Sequence, residues 1–517
     1  MGFFLAYVVL TIALLYLPLL ALYRLYFHPL AKFPGPKLAA ITRYFEAYYD
    51  VIRGGQYTFK ISELHQKYGK LHPHELHVSD PAFFKQLYSH NARWDKYGWS
   101  IEAFGAPLAT LHTVDFYEHK RRRAALNPFF SKVNIIHKQH VIETMVDKLC
   151  HRLRTQPEGT EINLGNAISA LARDIATEVL IGGSFNHLDV EDFHADLATL
   201  QQNAGEIWRT TKHIRWYGWL MQSIPRSIID KMADKGVKTF LSYLEASPYE
   251  FPTHGMMEIT ADILSQAKSN DTNPTLGKGD TAHTVVHQIL ESDLSPSDKT
   301  IDRLCHEVVT LTSAAMETTA HSMRLTIYHL FKNPDVLRRL REELASSGVD
   351  LSGPETGSLN LAALEALPYF TAVLMEGLRI STPVTSRLQR VAPDRDLQFR
   401  QYRIPSGTPV GMTILLMHQD ENLYPEPKKF RPDRWLNSDG KIVRIDQGFE
   451  PFGRGTRNCL GMHLAWAELY IVIAKLVWCF DLHLDSVGPL DVEVASDKFV
   501  AATARQNGFK ALVSPRL

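Results

Sequence analysis

The sequence has few cysteines and no surplus of charge. Its 517 residues include only four cysteines, Cys150, Cys305, Cys459 and Cys479, and no two of them form a CxxC pair. This spacing excludes a disulfide framework and a zinc ribbon, and it favours a reducing compartment for most of the chain. The 56 Lys and Arg residues balance 56 Asp and Glu residues, which argues against nucleic acid as a main partner because phosphate binding needs a basic surplus. An apolar content of 45% indicates a globular protein and excludes disordered and collagen-like classes.

Several common catalytic motifs are also missing. There is no GxxxxGK[ST] loop for a nucleotide phosphate and no GxSxG turn for a serine nucleophile. The pair His306-Glu307 begins an HExxH pattern, but Thr310 stands where the second zinc ligand is needed. The glycines of Gly453-Arg454-Gly455 match the opening of a dinucleotide loop, but Asn458 replaces its third glycine. These patterns therefore predict neither a zinc protease nor a nucleotide-binding enzyme.

Charge is absent from Phe3 to Tyr23, near the start of the chain. At about 1.5 Å per residue, a helix of this length spans the roughly 30 Å hydrocarbon layer of a membrane. Basic residues follow this run and none precedes it, so the positive-inside rule places the N-terminus in the lumen and the body in the cytosol. We expect a transmembrane anchor at 1–23 and a basic Pro/Gly hinge at 24–37. The alternative is a buried core helix.

The remainder, 38–517, is expected to form one mainly α domain with a small β portion. Apolar residues recur at helical spacing from about Leu38 to Leu344, and long helices are predicted at Asp298–Lys332 and Leu460–Phe480. Short alternating runs from Leu397 to His418 predict strands around the turn Ile404-Pro405-Ser406-Gly407.

The stretch Phe452–Gly461, FGRGTRNCLG, combines features that suit a large flat group. Its first glycines allow a tight turn and a close backbone approach. Arg457 offers a rigid cationic fork for a carboxylate. Cys459 stands just before a helical run, where the helix dipole and outward amide groups favour a thiolate. Gly461 leaves room for a planar group against the helix. The alternative is a loop with a buried structural cysteine.

The pattern FxxGxRxCxG in this stretch resembles the signature of the cytochrome P-450 superfamily of haem-thiolate monooxygenases, and the resemblance covers essentially the whole chain. It implies the cytochrome P-450 fold, preceded here by one N-terminal transmembrane helix. It also implies a haem b (iron protoporphyrin IX) whose iron is held by the Cys459 thiolate, with Phe452 packed near the sulphur. A thiolate ligand pushes electron density to iron and favours cleavage of the O–O bond.

The same resemblance implies a structural triad and a set of groups for the haem propionates. The triad is Glu376, Arg379 and Arg434, from the segments EGLR and FRPDRW, and it locks the fold behind the haem. Cofactor-binding residues are assigned by resemblance, with Lys96 as a weaker candidate: His119, Arg123, Arg390, Phe452, Arg457, Cys459 and Gly461. His119 replaces a tryptophan found in other branches and still supplies a ring N–H.

Glu317 is the only charged residue from Val308 to Ala320, and a lone carboxylate in an apolar stretch is costly without a function or a partner. The segment AAMETT resembles the family's oxygen-pocket motif, with Ala315 in place of the usual glycine. By resemblance Glu317 and Thr318 are catalytic and relay protons. The alternative for Thr318 is a hydrogen bond to the carbonyl one turn back.

The resemblance also implies partners and a location. These are an NADPH-cytochrome reductase, with cytochrome b5 as a further donor, the endoplasmic reticulum membrane crossed once, and an apolar small-molecule substrate. The start of the chain and Asn127–Ser131 resemble filamentous-fungal, trichodiene-oxygenase-like members, which implies secondary metabolism of a terpenoid or polyketide. Lys120, Arg121 and Arg122 are expected to be exposed and to meet the reductase. The alternatives are a haem-thiolate isomerase or dehydratase without reductase, and a haem sensor.

One departure from the family lies at Tyr68–His77, which is several residues shorter than its first β-strand region. The shortening near Gly69–His74 predicts that a strand is missing from the sheet.

Overall fold

A computed structural model of the chain describes residues 15–68, 75–157, 159–216, 223, 260–265, 283–351, 359–443, 448–505 and 509–516. In this part of the chain helices predominate and strands are short, as the sequence predicts. The α-helices are α1 (Lys37–Ile41), α2 (Tyr44–Ala47), α3 (Tyr57–Tyr68), α4 (Pro81–Leu87), α5 (Gly98–Ile101), α6 (Phe116–Leu126), α7 (Lys132–His137), α8 (Gln139–Arg154), α9 (Leu164–Ile181), α10 (Ala195–His213), α11 (Val285–Leu290), α12 (Ile301–Lys332), α13 (Pro334–Ser346), α14 (Leu361–Glu365), α15 (Pro368–Ser381), α16 (Ile414–His418), α17 (Met462–Cys479) and α18 (Pro489–Val492). The strands are β1 (Leu76–His77), β2 (Asp95–Lys96), β3 (Glu161–Asn163), β4 (Arg390–Val391), β5 (Leu397–Phe399), β6 (Tyr402–Ile404), β7 (Pro409–Gly411), β8 (Phe480–His483), β9 (Val494–Lys498), β10 (Val500–Thr503) and β11 (Lys510–Pro515).

Helix α12 forms the centre of the fold and packs against α9, α15 and α17. Nearly every residue of α9 is buried, because its sequence is apolar or small on all sides and needs contacts all round. The side chain of Asn163 caps the start of α9 by accepting the N–H of Asn166 at 3.0 Å. Gly182 ends the helix in the left-handed region, at φ 72°. The packing of α9, α15 and α17 against α12 supports the elements that carry the candidate site.

The two long helices begin close to where the sequence predicts them. Helix α12 starts at Ile301 rather than Asp298, because Thr300 is extended and 296–299 form a separate 3-10 turn. Helix α17 covers Met462–Cys479, within the predicted Leu460–Phe480. Both differences amount to one turn or less at a helix end.

A four-stranded sheet in the order β1-β7-β4-β2 carries most of the β portion that bears on the site. Strands β2 and β4 are antiparallel, with Lys96 opposite Arg390, so the two side chains lie next to each other on the sheet. Strand β1 pairs in parallel with β7, Leu76 opposite Val410. The shortened segment Gly69–His74 lies outside the described residues.

The predicted strand, turn and strand around Ile404-Pro405-Ser406-Gly407 is confirmed, because β6 ends at Ile404 and β7 begins at Pro409. Strands β5 and β6 pair with each other across Arg400, which has φ 51°. The predicted turn at Gly407, with φ 76°, leads from β6 into β7, which belongs to a different sheet. The end of the segment is helix α16.

The start of the described chain is an apolar helix, Leu15–Phe27, which is shorter than a membrane span. Most of its leucines are exposed, including Leu15 by 63% and Leu17 by 62%. The hinge segment that follows is held to the body, because Leu30 and Phe33 are buried in the smaller core beside the sheet. Among the described residues, α17 is the one helix long and apolar enough to cross a membrane, but it is mostly buried inside the fold. Residues 1–14 of the predicted anchor lie outside the described part.

A buried ionic cluster joins the end of α10 to the N-terminal helices. Lys212 Nζ lies 2.9 Å from Glu46 and 2.6 Å from Asp50, and Arg387 lies 2.7 Å from Glu46. Burial alone would lower the pKa of Lys212, but the two carboxylates raise it. Glu46, Asp50 and His213 have the spacing of a metal site, yet the Lys212 ammonium already neutralises these carboxylates. Every cation of this cluster therefore has an acidic partner.

Candidate functional site

The loop Phe452–Gly461 turns tightly and then leads into α17. Gly453 and Gly455 lie in the left-handed region, with φ 66° and 78°. A Cβ on Gly455 would lie 2.4 Å from the Tyr88 carbonyl oxygen, so only glycine fits there. The N–H of Cys459 donates to the Phe452 carbonyl at 2.8 Å, which closes the loop. The loop therefore holds Cys459 fixed, just before the first turn of α17.

Cys459 differs from the other cysteines in its surroundings. It is exposed, whereas Cys150, Cys305 and Cys479 are buried. The protein around it raises the pKa of the Cys459 thiol by desolvation, while the Gly461 N–H and Arg123 act in the opposite direction. The geometry contradicts the alternative of a buried structural cysteine.

The loop that carries Cys459 has open space beside Gly461 and a packed aromatic ring at Phe452. A Cβ on Gly461 would meet nothing within 4 Å, so this face of the loop offers room for a planar group, as expected. Phe452 packs against Trp466 of α17, with ring centroids 5.9 Å apart. The ring of Phe452 is thereby fixed beside the loop that carries Cys459.

Five nitrogen-bearing side chains gather beside this loop, and we call them the cationic cluster. Lys96 and Arg390 come from the paired strands β2 and β4. His119 and Arg123 are four residues apart on α6, hence on one face of the helix. Arg457 comes from the cysteine loop. Sequence elements far apart in the chain thus converge on one small region.

The hydrogen bonds of the cationic cluster go to main-chain oxygens and to an amide. Arg457 donates to the carbonyls of Thr113, Val114 and Asp115, at 2.6, 2.9 and 3.1 Å. Arg123 donates to the carbonyl of Asn458 at 2.6 Å and to its side-chain oxygen at 2.8 Å. These bonds orient the guanidinium groups without neutralising their charge.

Two buried donors of the cluster have no hydrogen-bond partner among the described residues, Nε of Arg457 and Nδ1 of His119. No carboxylate of that part of the chain forms an ion pair with any cluster member either. An unsatisfied buried donor costs free energy unless a ligand completes it. The cluster therefore favours a ligand that brings acceptors and negative charge.

Burial and repulsion between neighbouring cations lower the pKa values of the cationic cluster. Burial lowers the pKa of Lys96 well below its usual value, and Arg457, Arg390 and Arg123 lower it further. Burial, then Arg390, lowers the pKa of Arg457 to about 9, although Asp95 and Asp115 act in the opposite direction. The pKa of His119 is lowered mainly by burial and then by Arg457, so its ring is neutral and keeps one N–H donor. Two carboxylates placed here would relieve this repulsion.

A second buried arrangement lies behind the loop, at Glu376. Its two oxygens accept from Arg379 Nε at 2.9 Å and Nη2 at 2.7 Å, and Arg434 Nε donates at 3.1 Å. The structure thus brings the three predicted residues together. The indole N–H of Trp435 at 2.9 Å and the backbone N–H of Arg431 at 2.9 Å complete the carboxylate. Glu376 is fully buried, so a lost contact cannot be replaced by water.

Helix α12 carries Glu317 and Thr318 on different faces. Glu317 is 8% exposed and forms an ion pair with Arg324 of the same helix, which resolves the expected cost of a lone carboxylate. The hydroxyl of Thr318 donates to the Ala314 carbonyl at 2.7 Å, the bond that the structural alternative requires. Ala314 is exposed and Thr318 is half-buried, so this face of α12 borders open space.

The prediction that Lys120, Arg121 and Arg122 are all exposed is wrong for one of them. Arg122 is buried rather than exposed, because its Nε forms an ion pair with Asp298 at 2.8 Å and its Nη1 donates to Thr113 Oγ1 at 2.9 Å. Arg121 remains exposed and lies 3.2 Å from the same carboxylate. Of these three residues, only Lys120 and Arg121 are exposed, as a docking surface requires.

Sequence reasoning also missed or undervalued some groups. Lys96 was the weakest propionate candidate, yet its register opposite Arg390 places it in the cationic cluster. Trp435 directly follows Arg434, and the sequence motif assigns it no role, yet its indole N–H donates to Glu376. The available signal was the polar N–H of an aromatic residue in a buried motif, since such groups need a partner.

Comparison with known proteins identifies the family. The family model described as cytochrome P-450 matches residues 52–507. A cytochrome P-450 monooxygenase of Ascocoryne sarcoides, MO6277, is 35% identical over 96% of this chain and 96% of its own length. Tryptophan 6-hydroxylase fscE of Fusarium equiseti is 37% identical, over 93% and 91% respectively. The monooxygenase TRI4 of Fusarium sporotrichioides is 32% identical, over 93% and 89%.

The chain belongs to the cytochrome P-450 family and is a monooxygenase of that family. Members of the family bind haem b, and the residues present here fit it. The cationic cluster lacks the acidic partners that two propionates supply, Gly461 leaves room for a planar ring, and exposed Cys459 offers a soft thiolate ligand for iron.

We predict that replacing Cys459 by alanine abolishes the thiolate-haem spectrum. Reduced protein exposed to carbon monoxide should show the red-shifted Soret band in the wild type and lose it in Cys459→Ala, since no other exposed sulphur is available. The matched controls are Cys150→Ala, Cys305→Ala and Cys479→Ala, which should keep the band. A normal thiolate spectrum in Cys459→Ala would exclude this ligand.

We predict that Glu376→Ala yields little haem-loaded protein. Removing the carboxylate leaves Arg379 and Arg434 buried without a counter-charge, and breaking such a buried pair typically costs about 3–5 kcal/mol. Glu365→Ala is the matched control, because its pair with Lys132 lies at the surface and should contribute less than about 1 kcal/mol. The measurement is the ratio of haem to protein after purification. A stable, fully loaded Glu376→Ala protein would contradict the structural role.

Proposed function

We propose that this chain is a membrane-anchored haem-thiolate monooxygenase of fungal secondary metabolism. It inserts one oxygen atom from dioxygen into an apolar small molecule of terpenoid or polyketide type. The observation that supports this most is the cationic cluster, which is largely buried beside an exposed cysteine and forms no ion pair with a carboxylate of the described residues. Relatives of similar length are named as a monooxygenase, TRI4, and as tryptophan hydroxylases, which supports oxidation of a small molecule.

In this proposal the cationic cluster holds the two propionates and Cys459 holds the iron. When bound, haem b supplies the oxidising chemistry with dioxygen and two electrons. The neutral ring of His119 donates a hydrogen bond, and Arg457 and Arg390 supply charge. Because Arg123 and Arg457 are already oriented by main-chain carbonyls, little reorganisation is needed to bind the carboxylates.

The substrate would lie where α12 borders open space, above the cysteine loop. Apolar side chains of the segment 97–113 are exposed, Leu108 by 37% and Leu111 by 43%. The hairpin β9–β10 contributes Phe499, whose backbone lies at φ 70°, a strained value for an aromatic residue. Its ring meets that of Phe104 edge-on at 4.7 Å.

Electrons would come from an NADPH-dependent reductase at the surface of α6. Lys120 and Arg121 are exposed there and attract an acidic partner. His119 and Arg123 of the same helix contact the haem propionates in this proposal, so the docking surface and the cofactor site share one helix.

The experiment that tests the proposed function is turnover with labelled dioxygen. Protein co-expressed with a fungal reductase is given the host's metabolite extract under ¹⁸O₂, and products are analysed by mass spectrometry. We expect one ¹⁸O atom per product molecule and strict dependence on NADPH and reductase. Turnover without either would support an isomerase or dehydratase, and haem binding without any product would support a sensor.

We predict that Thr318→Val uncouples the enzyme. Positioned proton donors are worth roughly 10²–10⁴-fold, so losing the hydroxyl should lower the ratio of product to NADPH oxidised by about tenfold or more. Haem loading should not change. Thr326→Val is the matched control, since its hydroxyl donates to the Ser322 carbonyl at 2.7 Å two turns further along α12. An unchanged ratio would leave Thr318 with its structural bond to Ala314 alone.

The membrane anchor is part of the proposal, supported by the exposed apolar helix Leu15–Phe27. We predict that deleting 1–23 moves most of the protein out of the membrane fraction while haem binding persists. The helix has few contacts to lose, because its apolar side chains are exposed. Unchanged fractionation on membrane flotation would show that another surface holds the membrane.

A further inference from the structure

Two of the four cysteines, Cys150 and Cys479, meet where α8 packs against α17. The ion pair between Asp147 and Lys475, 2.8 Å long, marks the same helix contact. Cys150 follows Asp147 by three residues and Cys479 follows Lys475 by four, so each cysteine lies one turn further along the same face of its helix. Both cysteines are buried, and their thiols are hydrogen-bonded to each other. The fold thus places two sulphur atoms side by side that the sequence separates widely.

Arg154, the last residue of α8, extends this helix face to the surface. Its Nη2 lies 3.2 Å from the Sγ of Cys479. Arg154 is exposed, whereas Cys479 is 4% exposed, so the sulphur lies one side chain below the solvent and a small neutral molecule reaches it by displacing that side chain. No carboxylate in the described part of the chain forms an ion pair with Arg154, and its charge is therefore available to stabilise a thiolate.

The surroundings divide the protons unequally between the two thiols. The hydrogen bond from Cys150 lowers the pKa of Cys479 most, whereas burial acts in the opposite direction. The cations Arg154 and Lys475 lower the pKa of Cys479 further. The same hydrogen bond, followed by burial, raises the pKa of Cys150 well above its usual value. The Leu351 carbonyl, 3.8 Å from Cys479 Sγ, accepts a hydrogen bond only from the protonated thiol. The pair therefore combines one nucleophilic sulphur with one that keeps its proton.

We propose that Cys479 and Cys150 form a site of reversible oxidation by hydrogen peroxide. The Cys479 thiolate attacks one peroxide oxygen, the O–O bond breaks, and the leaving hydroxide takes a proton from solvent and departs as water. The sulphur is thereby oxidised to a sulfenic acid. The Cys150 sulphur then attacks the sulphur of Cys479, and the Cys150 proton leaves with the hydroxyl group as a second water. The product is a disulfide between α8 and α17, which a dithiol reductant cleaves.

This site is separate from the cysteine loop. Cys459 precedes the first turn of α17 and is exposed, whereas Cys479 is the last residue of the same helix. The oxidant arises from the chemistry of the family, because a monooxygenase handles dioxygen and the two-electron reduction of dioxygen gives hydrogen peroxide. A disulfide at this position would fix the end of the helix whose start follows Cys459.

The first test reads the thiols directly and needs no turnover. Haem-loaded, reduced protein is exposed to a small excess of hydrogen peroxide and denatured with N-ethylmaleimide, and its cysteine peptides are quantified by mass spectrometry. We expect a disulfide between Cys150 and Cys479 that dithiothreitol reverses. Cys305 is the internal control and should remain a thiol, because burial raises its pKa to about 11 and its side chain bonds to Thr260. Recovery of both paired thiols unmodified, or a disulfide to another cysteine, would overturn the proposal.

Two variants separate the roles of the sulphur atoms. In Cys150→Ala the sulfenic acid at Cys479 has no thiol to condense with, so dimedone, which traps sulfenic acids, should label Cys479. In Cys479→Ala the remaining Cys150 should stay unlabelled, because it keeps its proton. The carbon monoxide spectrum checks that both variants are folded. Label on Cys150 in place of Cys479 would overturn the proposal.

A third variant leaves both sulphur atoms in place. Arg154→Met removes the charge beside Cys479 and keeps a long side chain over the ring of Phe480, so disulfide formation should slow severalfold. Lys148→Met is the matched control, because this cation of the same helix pairs with Asp189 instead and its loss should not change the rate. Since Arg154 lies at the surface, this variant remains informative if the alanine variants fold poorly. Equal rates for Arg154→Met and the wild type would overturn the proposal, because Cys479 is then not activated by its surroundings.

Discussion

The structure depends on one electrostatic constraint, the burial of several cationic side chains beside the cysteine loop without an acidic partner in the described part of the chain. Two short strands, one helix and the loop converge there, and each contributes a group of the cationic cluster. Neither propensity nor packing explains why like charges are brought together, since they repel and lose water. A ligand with two carboxylates explains it, and the family to which the chain belongs binds such a ligand.

Other buried cations in the same fold are neutralised by acidic partners. Arg379 and Arg434 share the carboxylate of Glu376, and Lys212 lies between Glu46 and Asp50. Those arrangements are complete and hold elements together. The cationic cluster instead directs its hydrogen bonds to carbonyls, which fix direction and leave charge available. The contrast with the structural ion pairs supports the proposal that the cationic cluster is a binding site.

The sequence predicts the parts of this structure that depend on local signals. The helix ends, the glycine turn before Cys459 and the placement of His119 and Arg123 on one helical face follow from spacing. The register of Lys96 opposite Arg390, the burial of Arg122 by Asp298 and the pairing of Glu317 with Arg324 could not be predicted, because each depends on folded geometry. The turn at Gly407 was predicted correctly, whereas the placing of β6 and β7 in different sheets depends on folded geometry.

The most direct test of this account replaces the charge of the ligand and leaves its ring unchanged. Apoprotein is reconstituted with haem b or with haem dimethyl ester, whose propionates are neutral, and the fraction retained after gel filtration is measured by absorbance. The account predicts strong retention of haem b and little retention of the ester, because only carboxylates relieve the repulsion among Lys96, Arg390 and Arg457. Equal retention of both would show that the cationic cluster does not bind the propionates.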